Sequence, residues 1–203
     1  MKNFSIILGA IILMLFVTLV IWGVYCDNTI AITNYCVNNT KNDAKLKFVV
    51  ITDLHNKEYG EKNADLAELV KEQNPDFIAV CGDMVNRGDP DTTKMKDVLE
   101  KLSKIAPTYC CLGNHERDNA AKFGTDFKSE TDSTGAVLLD NEYIKFTKNG
   151  KSVLIGGMSD YPYYEFYTPD DDVPSRTLWE EFAEKAKNNF TILLHHQPEY
   201  IAE

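Results

Sequence analysis

The polarity pattern divides the chain into one long apolar run followed by a series of short ones. From Phe4 to Tyr25 the only polar side chains are Ser5, Thr18 and the interfacial aromatics Trp22 and Tyr25. A helix of that length rises about 33 Å, enough to cross a bilayer core, and it lacks the polar stripe of a buried soluble helix. Leu46 to Thr52 is rich in β-branched residues and reads as a buried strand. Lys62 to Asn74 places Leu66, Leu69 and Val70 on one helical face and stops before Pro75, because a residue preceding proline avoids helical geometry. Phe77 to Cys81 is a second strand. Met95, Val98, Leu99 and Leu102 recur at helical spacing and predict the next helix, and Pro107 to Leu112 predicts the third strand. Further strands are predicted at Ala136 to Leu139, Tyr143 to Phe146 and Ser152 to Ile155. The last two are joined by Lys148-Asn149-Gly150, whose Asn-Gly pair accepts positive φ. Leu178, Phe182 and Ala186 mark another helix, and Phe190 to Leu194 a final buried strand.

Strand, helix, strand, helix, strand at this cadence predicts parallel crossovers and an α/β domain. The chain divides into a signal-anchor transmembrane helix over 1–25, a juxtamembrane segment over 26–45 with a candidate edge strand at Ile30 to Val37, and a globular domain over 46–203. A cleaved signal peptide normally has a shorter apolar region and a small-x-small exit, which Val24-Tyr25-Cys26 does not offer. Lys2 precedes the apolar run and no Lys or Arg occurs from Cys26 to Thr40. The positive-inside rule therefore predicts a single-pass protein of the cell membrane with a cytoplasmic amino terminus and the main domain outside. With 21 basic against 31 acidic residues, net charge −10, a general nucleic-acid binder is disfavoured, since it needs a basic face to displace counterions.

The five cysteines fit no zinc pattern; Cys81, Cys110 and Cys111 read as small apolar strand residues, and Cys26 and Cys36 are candidates for a bridge outside the cell. The aromatic run from Tyr161 to Tyr167 reads as packing of a long loop. Asp170 to Asp172 reads as a solvated face, because it lacks the alternation of a calcium loop.

The chemistry lies just after the apolar runs. There the chain reads Asp53-Leu54-His55, Gly82-Asp83, Gly113-Asn114-His115-Glu116 and His195-His196-Gln197-Pro198. Asp53, Asp83 and Asn114 are separated by 30 and 31 residues, about one crossover unit each. All three are therefore expected at the carboxyl ends of neighbouring strands, where α/β sheets gather their ligands. Asp53 and His55, two apart at a strand end, are expected to share a face. A mixed oxygen and imidazole donor set delivered from four loops is what a two-metal hydrolytic site requires.

With these four motifs in this order, the chain resembles the calcineurin-like metallophosphoesterase superfamily over about Leu46 to Glu203, and its apolar amino-terminal helix resembles the membrane-anchored bacterial branch. The resemblance implies a two-sheet sandwich flanked by helices. It also implies two divalent metal ions, with manganese, iron or zinc all suited to Asp, Asn and His donors. By the same likeness Asp53 and His55 hold one metal, Asp83 bridges both, and Asn114 and His196 hold the second; His196 rather than His195 stands two before Pro198. The implied reaction is hydrolysis of a phosphomonoester or phosphodiester by a hydroxide bridging the metals, with His115 protonating the leaving group. Asn86 stands where some members carry the aspartate that supports that histidine, and Arg87 stands where related phosphatases clamp a phosphate, a solvated loop arginine being the competing reading. The implied partners are a phosphate-ester substrate, lipid-linked if the anchor keeps the site at the bilayer, and the membrane itself. Family members place a Gly-His-x-His element after the fourth motif. None follows Glu203, so the chain is expected to be a carboxyl-terminally incomplete copy of the domain. The competing expectation is a non-catalytic metal-binding or interaction remnant.

Overall fold

The computed structural model describes residues 2–38, 45–158 and 174–197. The aromatic run at Tyr161 to Tyr167 and the acidic run at Asp170 to Asp172 lie outside the described residues. The chain forms two compact units, Met1–Val37 and Asn38–Glu203.

The first unit is helix α1 (Lys2–Asn28) and an irregular tail. The helix is long and apolar enough to cross a membrane, with a mean hydropathy of 3.0 in its most apolar window. Its polar groups close on its own backbone: the Thr18 hydroxyl donates to Met14 O at 2.9 Å. At the carboxyl end, Asn28 Nδ2 donates to Val24 O at 2.8 Å and the Thr29 hydroxyl to Tyr25 O at 2.7 Å. These bonds occupy carbonyls that the helix end leaves without partners. Ile30 to Val37 is not the edge strand expected from its β-branched residues. It is irregular, because this unit offers no second strand to complete a ladder. Cys26 and Cys36 are exposed free thiols rather than a bridge.

In the second unit, β1 (Phe48–Ile51), β2 (Phe77–Cys81), β3 (Thr108–Cys111) and β4 (Val137–Leu138) form a parallel sheet in chain order. Between them run α2 (Ala64–Glu72), α3 (Thr93–Ile105), α4 (Asn114–Phe123) and α5 (Phe127–Asp132). A second sheet is built from β5 (Glu142–Lys148), antiparallel to β6 (Lys151–Gly157), with β7 (Thr191–Leu194) parallel to β6 on the other side; α6 (Pro174–Ala186) precedes β7. The β5–β6 turn carries Asn149 and Gly150 at φ 52° and 76°, the paired positive angles that match strand twist.

Phe77, Ala79 and Cys111 from the first sheet pack with Leu139, Val153, Ile155 and Leu194 in one buried cluster. This apolar layer joins the two sheets into a sandwich. Val98, Leu99 and Leu102 of α3 and Leu66 and Val70 of α2 are also buried, as their helical spacing predicts. Asp76 reinforces the end remote from the site, accepting Lys47 N–H at 2.8 Å and pairing with Lys148 from the second sheet. Neither α4 nor α5 was expected. The buried face of α4 is polar, carrying Glu116 and Asn119, so it has no apolar period to read.

Candidate metal centre

The loops after β1, β2 and β3 meet the end of β7 at one edge of the sandwich. Asp53 and His55 do not continue β1 as an extended strand, contrary to the shared-face expectation. Asp53, His55 and Asn56 take left-handed angles, with φ of 57°, 46° and 58°. Tertiary hydrogen bonds impose this. Asp53 N–H donates to Gly82 O at 3.1 Å, His55 N–H to Asp83 O at 2.9 Å and Asn56 N–H to Met84 O at 2.9 Å. The first loop is thereby zipped to the second beyond the last strand residues.

Two glycines permit the close approach of the second and third loops. A Cβ on Gly82, which has φ 75°, would lie 2.6 Å from Gly113 N; a Cβ on Gly113 would lie 2.3 Å from Asp83 Oδ1. Asp83 itself is left-handed, with φ 54°, and its side chain is only 5% exposed. Three imidazoles face it: Asp83 Oδ2 lies 3.3 Å from His196 Nε2 and 3.8 Å from the Nε2 atoms of both His55 and His115. Asp53 Oδ1 lies 3.4 Å from His55 Nε2, and the Asp53 side chain is half exposed, at the mouth of the site.

The donors form two groups that share Asp83. One is Asp53, Asp83 and His196, and the other His55, Asp83 and His115; within each, the ligand atoms lie within 4.8 Å of one another. Separations of 3.3 to 3.8 Å are long for charged hydrogen bonds. They are close to the spacing of about 3.0–3.5 Å between neighbouring donors on one cation with bonds of about 2.1 Å. A buried carboxylate ringed by imidazoles thus fits divalent cations. His115 falls within one of the groups, so geometry alone allows it either to ligate or to stand beside the metals. Asn114 opens α4 directly after Gly113, at the same edge.

The ring nitrogens turned away from the donors are anchored. His196 Nδ1 lies 2.9 Å from Cys81 O and ties β7 to β2. His115 Nδ1 lies 3.2 Å from both Val85 O and His55 Nδ1. One proton occupies the contact between the two rings, so when one donates the other accepts. Asn86, expected to support His115, turns its amide instead to His55 O at 3.0 Å. Arg87 pairs with Asp118 at 3.2 Å, both side chains being more than half exposed. An exposed pair of this kind contributes about 0–1 kcal/mol, so Arg87 is readily released to an anion. His195 accepts Gln197 N–H at 3.1 Å.

Three further residues shape the site. The Thr52 hydroxyl shares its proton between Asp53 Oδ2 at 2.6 Å and Cys81 O at 2.9 Å. Glu116 accepts four backbone N–H groups, and Asn119 holds Asn86 O and Asp89 O at 3.3 and 2.6 Å. Glu116 had a partial signal, as the acid three residues after the glycine that opens α4, where its carboxylate reaches back to Gly113 N–H; Asn119 had none. Beneath the site, hydrogen bonding with Cys111 holds the Cys81 thiol below its ordinary range against burial, with the field of His196 assisting.

The family model for calcineurin-like phosphoesterases matches residues 46–203. The chain is 25% identical over 162 residues to the uncharacterised metallophosphoesterase YkoQ of Bacillus subtilis, covering 78% of this chain and 56% of that protein. It is 30% identical over 119 residues to the phosphodiesterase YaeI of Escherichia coli, covering 57% and 44% respectively. The chain thus spans about half the length of these curated relatives. Among solved structures, the phosphopantetheinyl hydrolase of Mycobacterium tuberculosis aligns over 77% of this chain and 71% of its own, at 17% identity and a TM-score of 0.44. With the family model matching most of its length, the chain belongs to the calcineurin-like phosphoesterase family.

Proposed function

We propose that this chain is a metal-dependent phosphoesterase that hydrolyses a phosphomonoester or phosphodiester at a pair of divalent cations held around Asp83. The supporting observation is the convergence of Asp53, His55, His115 and His196, from three separate loops, on one buried carboxylate carried by a fourth. Asp53 and His55, whose donor atoms lie 3.4 Å apart, would hold one cation, Asn114 and His196 the other, and Asp83 both; the two donor groups offer the competing division of Asp53 with His196 and His55 with His115. Cations there supply Lewis-acid charge stabilisation and make water acidic enough to act as a nucleophile near neutral pH.

The remaining roles belong to the chain's own atoms. His115 turns Nδ1 to Val85 O and Nε2 toward the shared carboxylate. As the imidazolium, with its Nδ1–H donated to Val85 O, it protonates the departing alkoxide from Nε2 and is left as the neutral imidazole, a step worth about 10² to 10⁴ in rate. Arg87, released from Asp118, is placed to pair with a substrate phosphate. Helix α1 would anchor the enzyme in the membrane with the catalytic domain outside the cytoplasm, which favours phosphate esters near the bilayer surface.

The test is hydrolysis of p-nitrophenyl phosphate and bis(p-nitrophenyl) phosphate by the full chain in detergent micelles, with and without manganese. Manganese-dependent turnover that disappears in Asp83→Asn supports the enzyme. Manganese binding with no turnover of either ester replaces it with a binding-only remnant.

A further inference from the structure

We infer that Glu116, which neither faces the donor groups nor moves a proton, is the positioning residue that sets the place of Asp83: its carboxylate is the fixed anion around which the Asp83–Val85 loop folds. The inference rests on the proposed function for the bridging role of Asp83, while its geometric basis is independent of any metal.

Glu116 is buried, at 3% exposure. Its Oε2 accepts Asp83 N–H at 2.8 Å and Gly113 N–H at 2.9 Å, and its Oε1 accepts Met84 N–H at 2.7 Å and Val85 N–H at 3.1 Å. Capping α4 needs only the Gly113 bond. The other three donors are consecutive amides of a loop more than 30 residues earlier in the chain. Consecutive N–H groups around a left-handed residue form a concave nest that binds anions, and Asp83 is left-handed, with φ 54°. In this protein the nest is filled by the protein's own carboxylate.

The same helix also grips the Asp83 side chain, since His115 N–H donates to Asp83 Oδ1 at 2.9 Å. One turn further along, the fully buried Asn119 holds the carbonyls of Asn86 and Asp89. Helix α4 is thus a template for the loop from Asp83 to Asp89. A left-handed aspartate is an unfavoured conformation, and without Glu116 its loop loses the acceptors that fix it. Buried N–H groups left without acceptors are strongly unfavourable, so the loop would rearrange and carry Asp83 Oδ2 away from the three imidazoles.

Glu116→Gln is the informative change. It keeps the volume but converts one of the two acceptor oxygens into an NH2 donor, so in either amide orientation two of the four backbone donors face another donor. The full chain in detergent micelles is compared with Glu116→Gln by two readouts. In the metal-free state, the amides of Asp83, Met84, Val85 and Gly113 should be protected from hydrogen exchange in the wild type. They should exchange at least about tenfold faster in the variant, while the β2 amides are unchanged. In calorimetric titration with manganese, the folded variant should bind at least about tenfold more weakly, the scale of losing a group that orients a ligand. A residue with a merely structural role would lower the melting temperature and leave the manganese affinity of the folded protein intact.

Wild-type amides at these four positions that exchange as freely as exposed loop amides would overturn the inference, even if the variant fails to fold. So would a folded variant with unchanged exchange and manganese affinity within twofold of wild type. Should the wild type bind manganese yet hydrolyse no ester, the proposed function fails and the positioning role of Glu116 is still decided by exchange and affinity.

Discussion

The backbone N–H of His115 donates to Asp83 Oδ1 at 2.9 Å, so the segment bearing the candidate leaving-group acid holds the carboxylate that both donor groups share. The opposite oxygen, Oδ2, faces His55, His115 and His196. This division of labour between the two oxygens makes Asp83 the fixed point of the site, and it allows the role of His115 to be tested separately from metal binding.

If His115 acts as the acid, His115→Ala retains the metal content of the wild type and lowers kcat by about 10² to 10⁴ for alkyl phosphates. The loss should shrink for p-nitrophenyl phosphate, whose leaving group needs little protonation. Metal analysis alongside kinetics on both esters checks this. A fall in metal content would make His115 a ligand instead.

The β2 and β3 loops touch through glycines, so Gly113→Ala should push Asp83 out of place. The added Cβ would lie 2.3 Å from Asp83 Oδ1 and 2.7 Å from Asp83 N, which is backbone and cannot rotate away. The expected cost is about 1–3 kcal/mol of folding stability, read as a lower denaturation midpoint, together with weaker metal binding. An alanine variant of unchanged midpoint would show that the loops are not in contact.

Much of the architecture is legible because its faces are apolar. The β2 residues Phe77 to Val80 are buried as a continuous apolar run requires, and the α3 positions Met95, Val98, Leu99 and Leu102 are buried as their helical spacing requires. The motif loops are legible as chemistry but not as geometry, because Asp53 and His55 are turned by carbonyls of Gly82 and Asp83 that lie about thirty residues away. Helix α4 escapes a hydrophobic reading since the residues it buries, Glu116 and Asn119, satisfy backbone groups of another loop. Ile30 to Val37 shows the converse: strand-forming side chains without a neighbouring strand remain irregular.

Burial drives the Cys110 thiol well above the ordinary thiol range, with the charges of Cys81 and Glu116 acting in the same direction. Below about pH 8.5 the thiol is neutral in both folded and unfolded chains and contributes no pH dependence. Above that pH the unfolded chain ionises while the folded one cannot, so stability falls by about 1.4 kcal/mol per pH unit. Urea unfolding between pH 8 and about 10 should show this decline in the wild type and a smaller one in Cys110→Ala. Parallel slopes in the two proteins would place the titration elsewhere.

Helix α1 has the length and hydropathy of a membrane span. An alkaline carbonate wash of membranes from cells expressing the full chain should leave it in the pellet. Release into the supernatant would argue against an integral anchor.

The most direct measurement is the number of metal ions bound per chain, by elemental analysis of manganese-loaded protein freed of excess ion, in wild type and Asp83→Asn. A site built on one shared carboxylate predicts two ions in the wild type and fewer than one in the variant. Two ions in both proteins, or none in either, would contradict the central place given to Asp83.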